Sequence, residues 1–436
     1  FMDPENYDFR PLADSDLVDA GVIVDGVTDG FIGDAPDQGA YEYGGEMWIP
    51  GISWDLSQVF GDEFSEPEPL YNGSLFHVSI NGSNNNDGSI GNPFSSIQFA
   101  YDRANEQDTI LVHPGVYYDD IWFYGKNVIL GSLYLTTGDT SFISSTIIDG
   151  DSNDCTIAIY GNIDSTCRIT GFTIQNGIGC VYGQGAGIYV ESASPRLDNL
   201  IIKNNISGTN GGGICLNGNS NSLIDKVLIK NNSADAGGGI YSFNSNPIIT
   251  NSSIQNNHAN NGAGVFLELC SANFENVSIT GNNAISSGGG IYCGLTSCPV
   301  LNHVTISNNS ASSGGGILSI QNSEPMLSNS ILWGDVPEEI ISDPDSITIV
   351  YSNIQGGWQG AGNINQNPLF CMAENGDYSL AENSPCIESG EDGVNMGTFG
   401  IGCTTINFPP SEFSLISPEN NYQLYIEQNN DSQSLL

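Results

Sequence analysis

Lysine is one residue type in this sequence that could act as a general base. The chain of 436 residues has 50 acidic and 8 basic residues, which gives a formal net charge of -42 at pH 7. Lys203 and Lys230 occupy equivalent positions of an internal repeat and therefore fall in one column. A lysine held near a substrate can abstract a proton from a carbon next to a carboxylate. Asp198 and Asp225 precede these lysines at matching positions, so a surface ladder of paired charges is the alternative explanation.

A short acidic segment is the candidate metal site. Asp149, Asp151 and Asp154 lie within a stretch of six residues, and carboxylate oxygens are ligands that Ca²⁺ prefers. The segment lacks the downstream glutamate of an EF-hand loop, and a solvated acidic turn explains it without a metal. Ca²⁺ is the one cofactor that the sequence suggests.

No set of side chains with the pattern of a catalytic site accompanies these groups. The strands that follow the glycine motifs described below contain no aspartate, and His258 and His303 lie on predicted turns without a paired carboxylate. Trp122, Trp333 and Trp358 are scattered singly and signify little alone. The sequence therefore leans towards a protein that is not an enzyme.

The ten cysteines indicate an oxidising compartment rather than a zinc site. They show no paired CxxC spacing, and together with the scarcity of lysine they favour an exported protein in which some form disulfides. Cys270 and Cys298 fall on adjacent repeats, about one residue out of register, and form the best predicted pair. The alternative is that several cysteines are buried as small apolar side chains.

These residues are positioned by a glycine-led tetrapeptide that occurs six times. The copies begin at Gly185, Gly211, Gly237, Gly262, Gly288 and Gly314, at steps of 26, 26, 25, 26 and 26 residues. A fixed period of this size is typical of a solenoid. The repeats are rich in Gly, Asn and Ser with short β-branched runs, which excludes the helical half of a leucine-rich repeat.

Apolar and amide columns follow each glycine motif. One apolar column contains Ile202, Ile229, Ile254, Ile279, Ile306 and Leu332. Three residues further on stands an asparagine column of Asn205, Asn232, Asn257, Asn282 and Asn309. Stacked coils would place like side chains above one another in a continuous core, and the amides would form a hydrogen-bonded ladder. The columns predict an all-β parallel β-helix with three short strands per coil.

The flanking segments divide the chain into four parts. Residues 1–21 repeat the residue frame of 370–390. Residues 1–48 are therefore predicted to be the tail of a preceding β-helix module, followed by a linker over 49–71. The β-helix is expected over 72–403, with regular coils over about 156–335 and a closing segment over 336–403. Residues 404–436 predict a linker and the start of an immunoglobulin-like or fibronectin-like module.

A single helix is predicted just before the solenoid, over about 93–107. Ser95 or Ser96 can cap it, and Ile97, Ala100 and Tyr101 share one face. Such a helix would cover the open end of the solenoid, where unpaired strand edges invite aggregation.

The opening of the β-helix resembles right-handed parallel β-helix proteins of the pectin-lyase-like superfamily. The resemblance rests on residues 81–89, 92–94, 108–112, 114–117 and 125–127, and residues 367–390 resemble the closing segment of secreted bacterial proteins with a choice-of-anchor domain. The likeness covers roughly residues 72–403. It implies right-handed winding and an extracellular or cell-surface location in a bacterium. It leaves the activity open, because that superfamily holds lyases, hydrolases and adhesins.

The leading functional prediction is a non-catalytic extracellular rod. Such a rod would be one module of a tandem surface or matrix protein, with carbohydrate or copies of itself as partner and with head-to-tail assembly into filaments as one use. The alternative, implied by the resemblance, is a polysaccharide lyase with Lys203 or Lys230 as base. The strong negative charge argues against nucleic acid as a partner, and no apolar run reaches membrane-spanning length.

Overall fold

The computed structural model describes residues 74–151, 154–180, 183–343 and 346–406, together with the backbone of 425–428 and 431–434. The predicted tail (1–48) and linker (49–71) lie outside the described residues. Within 404–436 the structure shows an antiparallel hairpin of Tyr425–Gln428 and Asp431–Ser434. No helix in the described part of the chain is long and apolar enough to cross a membrane.

Three short strands per coil stack in parallel, which confirms the predicted all-β, right-handed parallel β-helix. Two of the three strands belong to one sheet, which we call the bent sheet because a bend separates its two strips. The third strand belongs to a nine-stranded sheet, and a small three-stranded sheet of Ser233–Ala236, His258–Asn261 and Asn283–Ser287 covers one corner.

The strand bounds of the bent sheet fall into three groups. The first strip contains Leu75–Val78, Thr109–Val112, Ile129–Ser132, Arg168–Thr170, Ile248–Thr250, Asn273–Glu275, Val300–Asn302, Met326–Ser328 and Thr348–Val350. The second strip contains Gly115–Tyr117, Thr146–Asp149, Thr173–Gln175, Ser253–Gln255, Ser278–Thr280, Thr305–Ser307, Ile331–Trp333 and Asn353–Ile354. Two longer strands run through both strips, Arg196–Lys203 and Leu223–Lys230.

The nine-stranded sheet forms the opposite wall of the solenoid. Its strands are Ile121–Tyr124, Ile157–Tyr160, Ile188–Glu191, Ile214–Asn217, Ile240–Phe243, Val265–Glu268, Ile291–Gly294, Ile317–Ser319 and Ile340–Ser342. All neighbouring pairs are parallel, so each coil contacts mainly the coils before and after it.

The core is a set of aligned apolar files. Ile202, Ile229, Ile254 and Ile279 pair in register from coil to coil and are fully buried. Because side chains alternate between the two faces of a strand, their neighbours in sequence point outward. The interior is therefore one continuous narrow core.

An asparagine ladder runs beside this core. Each side-chain amide donates to the amide oxygen of the next coil, for example from Asn232 Nδ2 to Asn257 Oδ1 at 3.1 Å and from Asn257 Nδ2 to Asn282 Oδ1 at 3.0 Å. The third glycine of the motif makes room for it. A Cβ at Gly239 would lie 2.5 Å from the carbonyl oxygen of Gly264 and 3.1 Å from Asn257 Nδ2. The repeated glycines are thus required by close backbone approach.

The bend between the two strips is made by one residue per coil with a left-handed backbone. This column contains Asn199 (φ 51°), Lys226 (54°), Asn251 (48°), Asn276 (55°), His303 (51°), Asn329 (50°) and Tyr351 (47°). Asparagine tolerates this conformation better than most residues, which accounts for part of the asparagine content.

Helix α1, Ile97–Arg103, covers the N-terminal end of the solenoid. It is shorter than the predicted span of 93–107, and Ser96 caps it by accepting a hydrogen bond from the Phe99 amide. Gln98 Oε1 accepts from the Trp122 amide at 2.7 Å, and the Tyr101 hydroxyl accepts from the Tyr124 amide at 2.8 Å. These two amides belong to the first strand of the nine-stranded sheet, so α1 satisfies its open edge.

The closing segment folds back onto the solenoid. It contains the strands Phe370–Met372, Asp377–Ala381 and Ile401–Cys403 and the 3₁₀ turns Ala373–Asn375 and Glu391–Gly393. Leu380, Cys386 and Met396 pack against Ile331 of the bent sheet.

The disulfides differ from the predicted pair. The structure joins Cys155 to Cys180 and Cys371 to Cys403, whereas Cys270 and Cys298 are free, so the Cys270–Cys298 prediction is wrong. The one-residue offset explains this result, because it places the two side chains on opposite faces of the ladder. Cys270 Sγ points inward, 3.1 Å from the Ser242 carbonyl oxygen, while the Cys298 side chain is only partly buried.

Candidate functional site

Most of the basic side chains lie together on the outer face of the bent sheet. Five of the eight in the sequence belong to three consecutive coils, and we call this surface the basic face. Its cations are Arg168, Arg196, Lys203, Lys226 and Lys230. In a chain with a net charge of -42 this is a marked local reversal of sign.

The arginine end of the basic face is built around one buried carboxylate. Arg168 donates from Nε to Asp198 Oδ1 at 2.7 Å and from Nη2 to Oδ2 at 2.8 Å. Arg196 Nε lies 3.0 Å from the same Oδ1, and the Thr170 hydroxyl donates to Oδ2 at 2.8 Å. Two guanidinium groups on one carboxylate leave this end with an excess of positive charge.

The lysine end lies on the next coils. Lys203 and Lys230 are register partners on neighbouring strands, as their shared column predicts. Burial, and secondly the charge of Lys203, lower the pKa of the Lys230 ammonium. Asp225 accepts hydrogen bonds from Thr250 Oγ1 at 2.7 Å and from Asn251 Nδ2 at 2.9 Å.

One side of the basic face is bounded by an insertion that the repeat does not predict. It contains the short helices α2, Tyr134–Thr137, and α3, Ser141–Ser145. The Tyr134 hydroxyl donates to Asn199 Oδ1 at 3.0 Å, and Thr173 Oγ1 donates to the Ile143 carbonyl at 2.9 Å. The insertion therefore lies over the coil that ends in Lys203.

The other side is bounded by the closing segment. Thr398 Oγ1 donates to the Val277 carbonyl at 2.7 Å, and the Thr398 amide donates to Thr305 Oγ1 at 3.0 Å. The Tyr378 hydroxyl accepts from Asn308 Nδ2 at 3.0 Å. Between these two covers, the coil that carries Lys226 and Lys230 stays partly exposed.

The arrangement can bind a polyanion along the stacked coils. Successive lysines and arginines repeat at the interstrand spacing of about 4.8 Å, and guanidinium and ammonium groups recognise carboxylates. A lysine with a lowered pKa is in addition a better general base at neutral pH.

The predicted metal segment is not assembled into a site. Asp149 is buried, and its Oδ2 accepts from Gln175 Nε2 and Asn176 Nδ2, both at 2.8 Å. Among the described residues, three metal-ligating side chains have their ligand atoms within 4.8 Å of one another only at Asp154, Cys155 and Cys180. Since these two cysteines are joined in a disulfide, they offer no thiolate to a metal. The three predicted ligands Asp149, Asp151 and Asp154 do not form such a cluster.

A stacked aromatic cluster on the nine-stranded sheet was not predicted from the sequence. Trp122 stacks on Tyr160 with ring centroids 5.9 Å apart, and Tyr124 stacks on Tyr160 at 5.4 Å. The signal was present in the sequence, because Tyr124 and Tyr160 hold equivalent strand positions on adjacent coils.

Sequence comparisons support the fold. A family described as the right handed beta helix region matches residues 131–303, and the Chlamydia polymorphic membrane protein repeat matches residues 303–320. No curated protein matches the sequence.

Two solved structures are similar to this chain at low sequence identity. Pectate lyase Pel9A is 13% identical with a TM-score of 0.49, over 76% of this chain and 96% of that chain. The pectin methylesterase from Aspergillus niger is 16% identical with a TM-score of 0.35, over 69% of this chain and 88% of that chain.

Proposed function

We propose that this chain is an exported β-helical module that binds an acidic polysaccharide on the basic face. The observation that carries the proposal is the gathering of five of the eight basic residues on three consecutive coils. Elsewhere the predominantly acidic surface repels polyanions, so an anionic chain is directed to this place. Two disulfides, Cys155–Cys180 and Cys371–Cys403, support export to an oxidising compartment.

The shape of the basic face favours a long ligand over a small one. The face is partly exposed at Lys226 and Lys230, and it extends across three consecutive coils. A polyuronate presents a carboxylate on every sugar, and it can therefore contact cations on successive coils.

Binding of the full chain to polygalacturonate, with a neutral polysaccharide for comparison, tests the proposal. We expect saturable binding to the acidic polymer that weakens as salt is raised, because the attraction is electrostatic. A Lys203→Gln, Lys226→Gln, Lys230→Gln triple variant should bind about tenfold more weakly, or ~1.4 kcal/mol. Arg103→Gln on α1 is the matched control, since this cation lies away from the basic face. Equal binding by the triple variant and the wild type would refute the proposal.

A second candidate function is β-elimination on the bound polymer, with Lys230 as the base. The lowered pKa of Lys230 favours it. In that reaction the lysine takes the proton from the carbon next to the carboxylate, a double bond forms, and the bond to the glycosidic oxygen breaks as that oxygen gains a proton. Unsaturated products, measured with and without Ca²⁺, would establish this activity. Their loss in Lys230→Met, with binding retained, would assign the role to this residue.

The non-catalytic surface rod remains the interpretation if the polymer is bound but not cleaved. The rigid stack of coils is suited to spacing and adhesion. The proposed head-to-tail assembly is tested by sedimentation at high protein concentration. Concentration-dependent oligomers support it, and a monomer at all concentrations opposes it.

A further inference from the structure

The asparagine ladder ends at a carboxylate. Asp335 follows Asn309 by 26 residues and occupies the next position of the column. Its Oδ1 accepts from the backbone N–H of Asn309 at 2.6 Å and from the side-chain Nδ2 of Asn309 at 2.9 Å, as an asparagine oxygen does in the other coils. The last rung of the ladder is therefore a carboxyl group where all the others are amides.

The second oxygen of Asp335 stands where the asparagines of the other coils have a side-chain nitrogen that donates a hydrogen bond. In each preceding coil the amide nitrogen also donates to a backbone carbonyl, as Asn282 Nδ2 does to Ile254 and Asn309 Nδ2 to Ile279, both at 2.9 Å. Asp335 has an oxygen in place of that nitrogen and cannot donate. Asp335 is only 5% exposed, and its Oδ2 is buried without a hydrogen-bond partner.

A second buried carboxylate lies next to it with the same deficiency. Glu339 is 8% exposed, and its Oε1 accepts from the backbone amides of Gly334 and Asp335 at 2.8 and 3.1 Å. Glu339 Oε2 has no partner. Two close, buried carboxylates are unfavourable unless a positive species lies between them.

A cavity adjoins this pair. Its volume is about 290 Å³, and its lining includes Asp335, Glu339, the third carboxylate Glu338, the amide of Gln355 and the indole of Trp358. No lysine, arginine or histidine lines it. The volume exceeds that of a single ion and leaves room for several coordinating waters, each of which takes about 30 Å³.

We propose that this cavity binds a divalent cation of the Ca²⁺ type, held by the two buried carboxylate oxygens Asp335 Oδ2 and Glu339 Oε2 together with waters. These are hard oxygen ligands, and Ca²⁺ accepts six to eight of them in flexible geometry with waters completing the set. The cation supplies the positive charge that the buried pair lacks. The cation would lie beside the last position of the asparagine column, at the coil where the closing segment begins.

Calcium titration of the chelator-treated full chain is the first measurement. We expect Ca²⁺ to raise Tm by about 2 °C or more, because a ligand that binds only the folded state stabilises it. Asp335→Asn should abolish the rise. This variant restores the amide of the ladder and is therefore expected to fold. Glu324→Gln, an exposed carboxylate on a turn, is the matched control and should keep the full rise.

Terbium luminescence locates the ion. Tb³⁺ replaces Ca²⁺ at oxygen sites and emits when a nearby indole is excited, so Trp358 should act as the sensitiser. Trp358→Phe should lose most of the emission but keep the Ca²⁺-dependent rise in Tm, whereas Asp335→Asn should lose both. A wild type that Ca²⁺ does not stabilise, or an Asp335→Asn variant that still responds, overturns the proposal. The first result would mean that the carboxyl pair shares a proton only.

Discussion

At the scale of single residues, this protein stabilises its interior with buried amides as well as with apolar side chains. Asn205, Asn232, Asn257, Asn282 and Asn309 are buried, and each one connects two coils through its side chain. A buried amide is favourable only while its donors and acceptors are paired. The cost of losing one is therefore larger than the value of one hydrogen bond.

Asn257→Ala tests this cost. The change removes the acceptor used by the Asn232 backbone and side-chain amides and the donor to the Ile229 carbonyl. We expect the free energy of unfolding, measured by urea denaturation, to fall by about 3 kcal/mol, since each unpaired buried group costs about 1–3 kcal/mol. The exposed Asn260→Ala should change it by less than about 0.5 kcal/mol. Similar losses in both variants would contradict a special role of the ladder.

The two histidines of the first coils make stability depend on pH. His77 Nδ1 lies 3.1 Å from His113 Nε2, so a single proton serves both nitrogens. Burial lowers the pKa of both, and His113 lowers that of His77 further. In the unfolded chain each histidine has a pKa of about 6.5, which is higher than its pKa in the folded protein. The unfolded state therefore binds protons more readily, and the free energy of unfolding decreases as pH falls below about 6.5.

Tm measured from pH 7.5 down to 5.5 should therefore decrease. His113→Gln should flatten the profile, because it removes one of the two depressed groups and relieves the other. The exposed His258→Gln is the control and should leave the slope unchanged. A wild-type profile that is flat over this range would contradict the prediction.

Residues that belong to a column were predictable from the sequence, and residues outside one were not. The register of Ile202 with Ile229 and of Lys203 with Lys230 follows from the repeat period alone. The same period reaches Asp335, 26 residues after Asn309, but its change of residue type concealed the ladder's end. The cysteine pairing failed because the period places Cys270 and Cys298 on adjacent coils but does not place their side chains on one face.

At the scale of elements, the ends of the solenoid are closed by different means. Helix α1 closes the N-terminal edge through side chains, and Lys126 Nζ in turn donates to the helix carbonyls of Tyr101 and Ala104 at 2.7 and 2.9 Å. The C-terminal end is closed by strands and turns of the closing segment. The helix was predictable from its apolar face, whereas the insertion with α2 and α3 lacks repeat character and was not.

Tyr101→Phe tests the closure by α1. The variant keeps the buried ring but removes the hydroxyl that accepts from the Tyr124 amide. We expect a loss of about 1–3 kcal/mol in the free energy of unfolding, because that amide becomes unpaired at a sheet edge. Light scattering should show faster aggregation on heating than for the wild type. As the control, Tyr118→Phe alters an exposed hydroxyl outside α1 and should change neither quantity.

At the scale of the whole molecule, charge has two opposed effects. A net charge of -42 destabilises the compact chain by self-repulsion, while the basic face attracts anions. Salt screens both interactions, because the Debye length falls from about 30 Å at 0.01 M to about 8 Å at 0.15 M.

The same increase in NaCl should therefore raise Tm and weaken binding to polygalacturonate. Differential scanning calorimetry measures Tm and a binding isotherm measures the affinity, both at about 0.01 M and about 0.15 M NaCl, where the Debye lengths are about 30 and 8 Å. Sucrose at equal osmolality controls for effects of solute other than screening. A Tm that does not depend on salt would show that the acidic surface is neutralised by other means.

The uniform rungs of the ladder make coil number an adjustable quantity. Asn232 and Asn257 are 25 residues apart and make equivalent contacts. Excision of residues 233–257 would therefore place Asn232 next to Asn282 in the ladder, and the neighbouring coil would still supply the glycine and the isoleucine of the repeat. Each such deletion or duplication changes the length by about 4.8 Å and leaves both terminal closures intact. Unequal recombination between neighbouring repeats can in this way tune the reach of the molecule without redesigning its interior.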